Sequence, residues 1–185
     1  MKQIIVWISC LVLIGYVYQY FSTHNTLLGT TTDGIPAYQP YPLGSQEINH
    51  VNWKGKSVIT GLRWECVEFV RRYLLLTRGI IFKDVKQANQ IWGLLTFIDA
   101  ERNTNIPCMH YGIGTIQPRH GDVLVWAISE ENPDGHVAII VSDTDNHIGK
   151  VQIAEQNMGS WKAPHYSRHI DLEKTPDLLG IIRIP

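Results

Sequence analysis

The hydrophobic positions of this chain follow three rhythms in turn. From Ile4 to Phe21 the sequence is apolar except for Ser9 and Gln19 and carries no charge. As a helix, that stretch extends roughly 27 Å, close to the thickness of a bilayer core. Tyr16, Tyr18, Tyr20 and Phe21 crowd the region where the small residues of a signal-peptide cleavage site belong, so the pattern predicts an uncleaved single-pass membrane anchor over residues 1–22. Lys2 is the only charged side chain near either end, which argues for a cytoplasmic N-terminus and an extracytoplasmic or lumenal location for the rest of the chain. Residues 23–42 are rich in Thr, Gly and Pro and read as a linker and irregular lead-in, leaving 43–185 as the folded domain.

The second rhythm is helical and centres on Trp64 to Leu76. Stepping 100° per residue from Cys66, one arc collects Val67, Phe69, Val70, Tyr73, Leu74 and Leu76, while Glu68, Arg71 and Arg72 take the opposite, solvent side. Cys66 lies in the first turn and in the middle of the apolar arc. Glu68 and Arg72 stand four apart in the favourable order, and Gly79 suits a C-cap, so the helix should end near Thr77 or Arg78. The stretch from Val85 to Leu95 predicts a second helix.

The third rhythm is that of strands. Asp122–Trp126 comes after a glycine; Gly135–Val141 is apolar on both faces and hence central, with His136 at its entrance. Val151–Asn157, Tyr166–Leu172 and Leu179–Ile184 complete the set, and Asn52–Lys56 and Asp145–Gly149 read as turns. Helices first and strands afterwards predict an α+β fold, with N-terminal helices packed on an antiparallel sheet of about five strands.

Composition narrows the chemistry by exclusion. A chain of 185 residues with 44% hydrophobic content suits one globular domain, and a net charge of −1 gives no electrostatic case for nucleic acid. Cys10, Cys66 and Cys108 are the only cysteines, so there is no disulfide framework. No C-x-x-C or H-E-x-x-H pattern is present, and Cys108 beside His110 does not make a zinc site; neither a metal nor a cofactor is expected.

Cys66 has two readings. A cysteine on an apolar helix face is commonly a small buried hydrophobe. In a first helical turn, however, it meets unpaired N–H groups and the positive end of the helix dipole, worth roughly 0.3 to 2 kcal/mol, which gives a partly ionised thiol unless a cationic neighbour completes the activation. Period two places Val151, Ile153, Glu155 and Asn157 on one face of their strand. A carboxylate there needs a partner, and a histidine at the start of the neighbouring strand is a suitable one. Cysteine at a helix start, histidine at a strand start and a carboxylate on the next strand form the order a thiol triad requires.

The blocks Trp64–Arg72, Gly121–Trp126, Gly135–Ile140 and Ile153–Asn157 together resemble the CHAP domain, the cysteine, histidine-dependent amidohydrolase/peptidase family, and within it the glutathionylspermidine amidases. The resemblance runs from about Gly34 to the C-terminus. It implies a papain-like fold and a cysteine amidase or peptidase that works through an acyl-enzyme; the N-terminal apolar run, which departs from the glutathionylspermidine amidases, adds the expectation that the enzyme is membrane-anchored. By that resemblance Cys66 matches the nucleophile, His136 the base and Glu155 the orienting acid, while Arg71 and Asn157 match positions near the substrate. For Arg71 a solvated surface arginine is the competing reading. The substrate implied is a peptide, peptidoglycan or glutathione-spermidine-type amide. A catalytically degenerate CHAP module used for binding is the alternative.

Overall fold

The computed structural model describes residues 26–40, 46–142, 149–159, 161 and 163–185. The chain opens with two hairpins. Strands β1 (Leu27–Thr30) and β2 (Pro36–Tyr38) pair across the turn at Thr31–Gly34, and β3 (Ile48–Trp53) and β4 (Lys56–Leu62) pair across Lys54 and Gly55. Those two turn residues have φ of 49° and 77°, the twist that lets a two-residue connection match paired strands. Helix α1 (Cys66–Arg78) comes next, then a small sheet of β5 (Ile80–Ile81), β6 (Thr96–Asp99) and β7 (Thr104–Pro107). The main sheet holds β8 (Met109–Tyr111), β9 (Val123–Trp126), β10 (His136–Ile140), β11 (Lys150–Ala154), β12 (Arg168–Asp171) and β13 (Leu178–Arg183). Its order is β12-β11-β10-β9-β13-β8, antiparallel throughout.

Strand therefore predominates over helix in the described chain, and the expected α+β fold with N-terminal helices does not hold. The lead-in, read as irregular, supplies β1 and β2. The turn expected at Asn52–Lys56 is present, and the β-branched residues around it, Val51, Val58, Ile59 and Thr60, make it the tip of a hairpin that was not expected. The expected second helix shrinks to a six-residue 3-10 segment, Ala88–Gly93, held at its start by reciprocal hydrogen bonds of Gln87 and Gln90. The main sheet has a sixth strand, β8, too short to show a period.

The membrane reading is corrected as well. The stretch from Ile4 to Phe21 lies outside the described residues, and among the described residues no helix is long and apolar enough to cross a membrane. α1 has 13 residues, roughly 20 Å of helix against the roughly 30 Å of a bilayer core. The single-pass, extracytoplasmic or lumenal placement is accordingly set aside. The turn expected at Asp145–Gly149 lies mostly outside the described residues.

Both faces of the main sheet are covered, which is why β9 and β10 are buried along their whole length. On one face Phe69, Val70, Tyr73 and Leu74 of α1 pack on Val123, Val125, Val137, Ile139 and Ala154. On the other, Leu124, Ala138, Ile140, Val151, Ile153 and Ile170 cluster with Leu172, and Ile113 and Ile116 pack against them. Each such side chain removed from water contributes about 1.5–3 kcal/mol. α1 begins and ends where its sequence says it should. Gly79, at φ 66°, takes the left-handed C-cap position and donates to the Leu74 and Leu75 carbonyls.

The helix is not amphipathic in the expected way. Glu68, Arg71 and Arg72 are buried, at 0%, 6% and 4% exposure, while Leu76 from the apolar arc is 41% exposed. The two N-terminal hairpins cover the polar side, so its charges become an internal network. Glu68 Oε1 accepts from Asn49 Nδ2 at 2.8 Å, Thr60 Oγ1 at 2.9 Å and Arg72 Nε at 2.8 Å. Arg72 also donates to the Pro36 carbonyl at 2.6 Å and to Gln156 Oε1 at 3.0 Å. Gln156 in turn donates to Glu68 Oε2 at 3.2 Å and to the Glu65 carbonyl at 3.3 Å. A buried charge is tolerable only with partners on every side, and here helix, hairpins and the end of β11 each provide them.

Candidate active site

Three elements converge at one end of the sheet. Cys66 is the first residue of α1, directly after the extended N-cap Glu65 (φ −80°, ψ 161°). Its backbone N–H belongs to the first turn and has no carbonyl four residues back within the helix, which leaves it able to bind an anion. His136 opens β10. The preceding Gly135 has φ 68°, and a Cβ there would lie 2.7 Å from the Trp126 carbonyl and 2.8 Å from Asn89 Cβ, so only glycine lets the chain enter the strand at this angle. Glu155 comes directly after the last residue of β11, Ala154.

The imidazole stands between the other two groups. His136 Nε2 is 2.9 Å from Glu155 Oε2, both side chains being 2% exposed. With Nε2 committed to the carboxylate, Nδ1 is the nitrogen left to face Cys66, the other group that acts on the ring's charge. Burial opposes a charge on His136, but Cys66 and the Glu155 carboxylate outweigh it and raise the imidazole to about 9. Burial likewise pushes Glu155 upward, and His136 and Arg168 together bring its carboxyl below the ordinary carboxylate range. Trp126, opposite His136 in the β9–β10 ladder, keeps its ring 5.4 Å from the imidazole.

A cleft of about 650 Å³ opens over Cys66. Its lining combines apolar side chains, Ile48, Ile59 and Leu62 of the β3–β4 hairpin with Val67 and Val85, and the charged Glu65, Asp84, Asp134 and Lys86. Burial raises Glu65, an effect that the Asn157 amide tempers and Asp134 reinforces. Two carboxylates that repel within one cleft lining form a site where a cation is welcome. Nothing here gathers metal ligands; among the described residues no group of three or more His, Cys, Asp and Glu is placed to hold an ion.

The remaining expectations are met unevenly. Asn157 lines the cleft, held at φ 64° with its Nδ2 donating to Glu65 Oε2 at 2.5 Å. Arg71 does not line it. Its guanidinium is buried over the Phe82 ring at 5.4 Å and pairs at 2.9 Å with Asp84, which does reach the cleft, while Nε has no partner. Burial lowers the Arg71 pKa despite Asp84. Cys108 is away from the site and donates to the Leu94 carbonyl at 3.2 Å, with burial pushing its thiol upward.

Sequence reasoning missed Gln156, Ser167 and Arg168. The alternation that groups Val151 with Ile153 stops where β11 stops, at Ala154, so Glu155 and Gln156 are both buried although adjacent. Ser167 and Arg168 reach Glu155 from the next strand. The only signal for Ser167 and Arg168 was the expected strand Tyr166–Leu172, which did not say which strand it would pair with.

Comparison with known proteins gives the same region prominence. The CHAP domain family matches residues 57–157. The bifunctional glutathionylspermidine synthetase/amidase of Escherichia coli (strain K12) is 40% identical over 100 residues, 53% of this chain and 16% of that protein. Glutathionylspermidine synthase of Crithidia fasciculata is 32% identical over 173 residues, 82% of this chain and 24% of that one. This chain thus spans less than a quarter of the length of these curated relatives. The crystal structure of Ly7917 with the hydrolyzing product of MDP aligns at a TM-score of 0.44 and 19% identity, over 65% of this chain and 53% of that one, a similarity too low to bear on function. With a family match across more than half of its length, carrying Cys66, His136 and Glu155, this chain belongs to the CHAP domain family of amide-bond hydrolases.

Proposed function

We propose that this domain is a cysteine amidase in which Cys66 is the nucleophile, His136 the acid and base, and Glu155 the orienting carboxylate. The observation that carries the reading is the buried imidazole held at 2.9 Å from Glu155 and beside Cys66, the residue of the three that lines the open cleft. The thiolate attacks the amide carbonyl, and the oxygen takes up the charge near the Cys66 N–H at the helix start. Protonated His136 then gives its proton to the departing amine, leaving a thioester on Cys66. A water molecule, deprotonated by the now neutral imidazole, hydrolyses the thioester and restores the thiolate–imidazolium pair.

The cleft lining carries the substrate reading. A lining that combines the exposed apolar side chains Ile48, Ile59 and Leu62 with the carboxylates Glu65 and Asp134 suits a leaving group of methylenes ending in ammonium groups. A polyamine joined to a peptide carboxyl has that form, and the Escherichia coli relative is named for a compound of this kind. Peptidoglycan peptides are the comparison substrate. Asn157 acts here through Glu65, fixing its carboxylate at the cleft mouth; Arg71 acts through Asp84. A role in binding alone would leave the charge relation between His136, Cys66 and Glu155 without a use. Incubating the protein with glutathionylspermidine and, separately, with peptidoglycan peptides, and measuring newly released amine, tests the reading. Release of spermidine supports it, and release from the peptidoglycan peptides alone would redirect the substrate assignment.

A further inference from the structure

Glu155 has more partners than an orienting acid needs. Its Oε2 faces His136 at 2.9 Å and Arg168 Nη2 at 3.3 Å; its Oε1 accepts from Arg168 Nε at 2.8 Å and from Ser167 Oγ at 3.0 Å. Ser167 Oγ also lies 2.9 Å from the Ile153 carbonyl, so its single proton is shared between two acceptors and the guanidinium is the stronger hold. A guanidinium that engages both carboxylate oxygens fixes the plane of the carboxylate as well as its position. The Glu155 main chain is tied down separately, its carbonyl accepting from the Trp161 indole at 2.9 Å. Arg168 is partly open to solvent, at 34% side-chain exposure, whereas Glu155 and His136 are at 2%. It is the outermost member of a line that runs from solvent through carboxylate and imidazole to the thiol.

From this geometry we infer that Arg168 is a positioning residue: its fork locks the Glu155 carboxylate against His136, and its charge offsets part of the carboxylate's, so that Arg168 sets the upper pH limit of the reactive thiolate–imidazolium pair. The inference rests on the reading of Cys66, His136 and Glu155 as a triad. The ionisable groups acting on His136 from neighbouring elements are Cys66 at the start of α1 and Glu155 after β11; those acting on Glu155 are His136 on β10 and Arg168 on β12. Removing the Arg168 cation leaves Glu155 less neutralised, and its attraction for the imidazolium proton grows. The carboxylate keeps Ser167 and the tied main chain, so it stays near the ring but loses its fixed plane.

Charge and fork can be separated with two variants. In Arg168→Gln both are lost; in Arg168→Lys the charge remains and the fork is lost. Alkylation of Cys66 by iodoacetamide, combined with peptide mapping from acid to alkaline pH, reads the pair without any substrate. Amide hydrolysis and thermal unfolding are measured in parallel. Arg168→Gln is expected to move the upper step of the alkylation profile to higher pH by roughly half a unit to one unit. Arg168→Lys is expected to leave that step within about 0.2 units of the parent while lowering kcat about three- to tenfold, because one ammonium cannot hold both oxygens. A step that stays put or moves down in Arg168→Gln overturns the inference, as does a fall in thermal stability with an unchanged profile, which marks a merely structural arginine. If the parent protein itself lacks a pH-shifted reactive Cys66, the triad reading fails and this inference with it.

Discussion

Gln156 and Glu155 are neighbours in sequence that serve opposite sides of the same helix start. Glu155 turns to His136, while Gln156 reaches under α1 to Arg72, Glu68 and the Glu65 carbonyl. The end of β11 therefore fixes both the imidazole and the base of the helix that presents Cys66. The register of thiol to imidazole depends on this double attachment, since a catalytic pair misplaced by about 1 Å loses on the order of 10²-fold in rate.

Replacing Glu155 with Gln keeps the shape of the side chain and removes a charge that raises His136. The sign is fixed by the geometry: the carboxylate favours the imidazolium, so without it the imidazole gives up its proton at lower pH. In the parent protein kcat/KM should fall as pH rises through about 9, where His136 can no longer protonate the leaving amine. In Glu155→Gln that alkaline limb should lie lower by roughly one unit, with kcat reduced about 10- to 10³-fold. A pH–rate profile measures both, and an unmoved limb would remove Glu155 from the site.

Glu68→Ala should destabilise the fold more than any change in the cleft. It leaves Arg72, at 4% exposure, without its carboxylate, and strips partners from Asn49, Thr60 and Gln156. Breaking a buried ion pair by removing one member costs about 3–5 kcal/mol. Urea unfolding monitored by tryptophan fluorescence should show a midpoint well below that of the parent; a stability within about 0.5 kcal/mol of the parent would mean that the network contributes little.

Asp134→Asn tests the cationic half of the substrate. Asp134 lines the cleft and repels Glu65, so an ammonium group there answers both charges. KM for a polyamine amide should rise about five- to tenfold with kcat little changed, the signature of lost uniform binding, while an uncharged amide of the same acyl group should be unaffected. Equal effects on both substrates would place the polyamine elsewhere.

The sequence was most informative where a single element carried its own boundaries. α1 could be read from its first residue to its glycine cap, and the central strands β9 and β10 announced themselves as continuous apolar runs. What could not be read was which neighbour each polar face would meet. Glu68, Arg71 and Arg72 looked like solvated charges because nothing local signals that two hairpins will fold over them. The hairpins were hidden in turn, since β1 and β2 are only four and three residues long and sit among Thr, Gly and Pro. Cys66, His136 and Glu155 were legible as a set because their order along the chain suits a triad. Arg168 was not, because its importance lies in a cross-strand contact with Glu155 and not in any pattern of its own.

The most direct measurement is mass spectrometry of the protein quenched in acid during turnover of glutathionylspermidine. A glutathionyl thioester, adding the mass of glutathione less one water to the peptide containing Cys66, appearing together with free spermidine and absent from Cys66→Ala, is the expected result. Spermidine released at the parent rate by Cys66→Ala, or an acyl group found on any other residue, would contradict the assignment of Cys66 as the nucleophile.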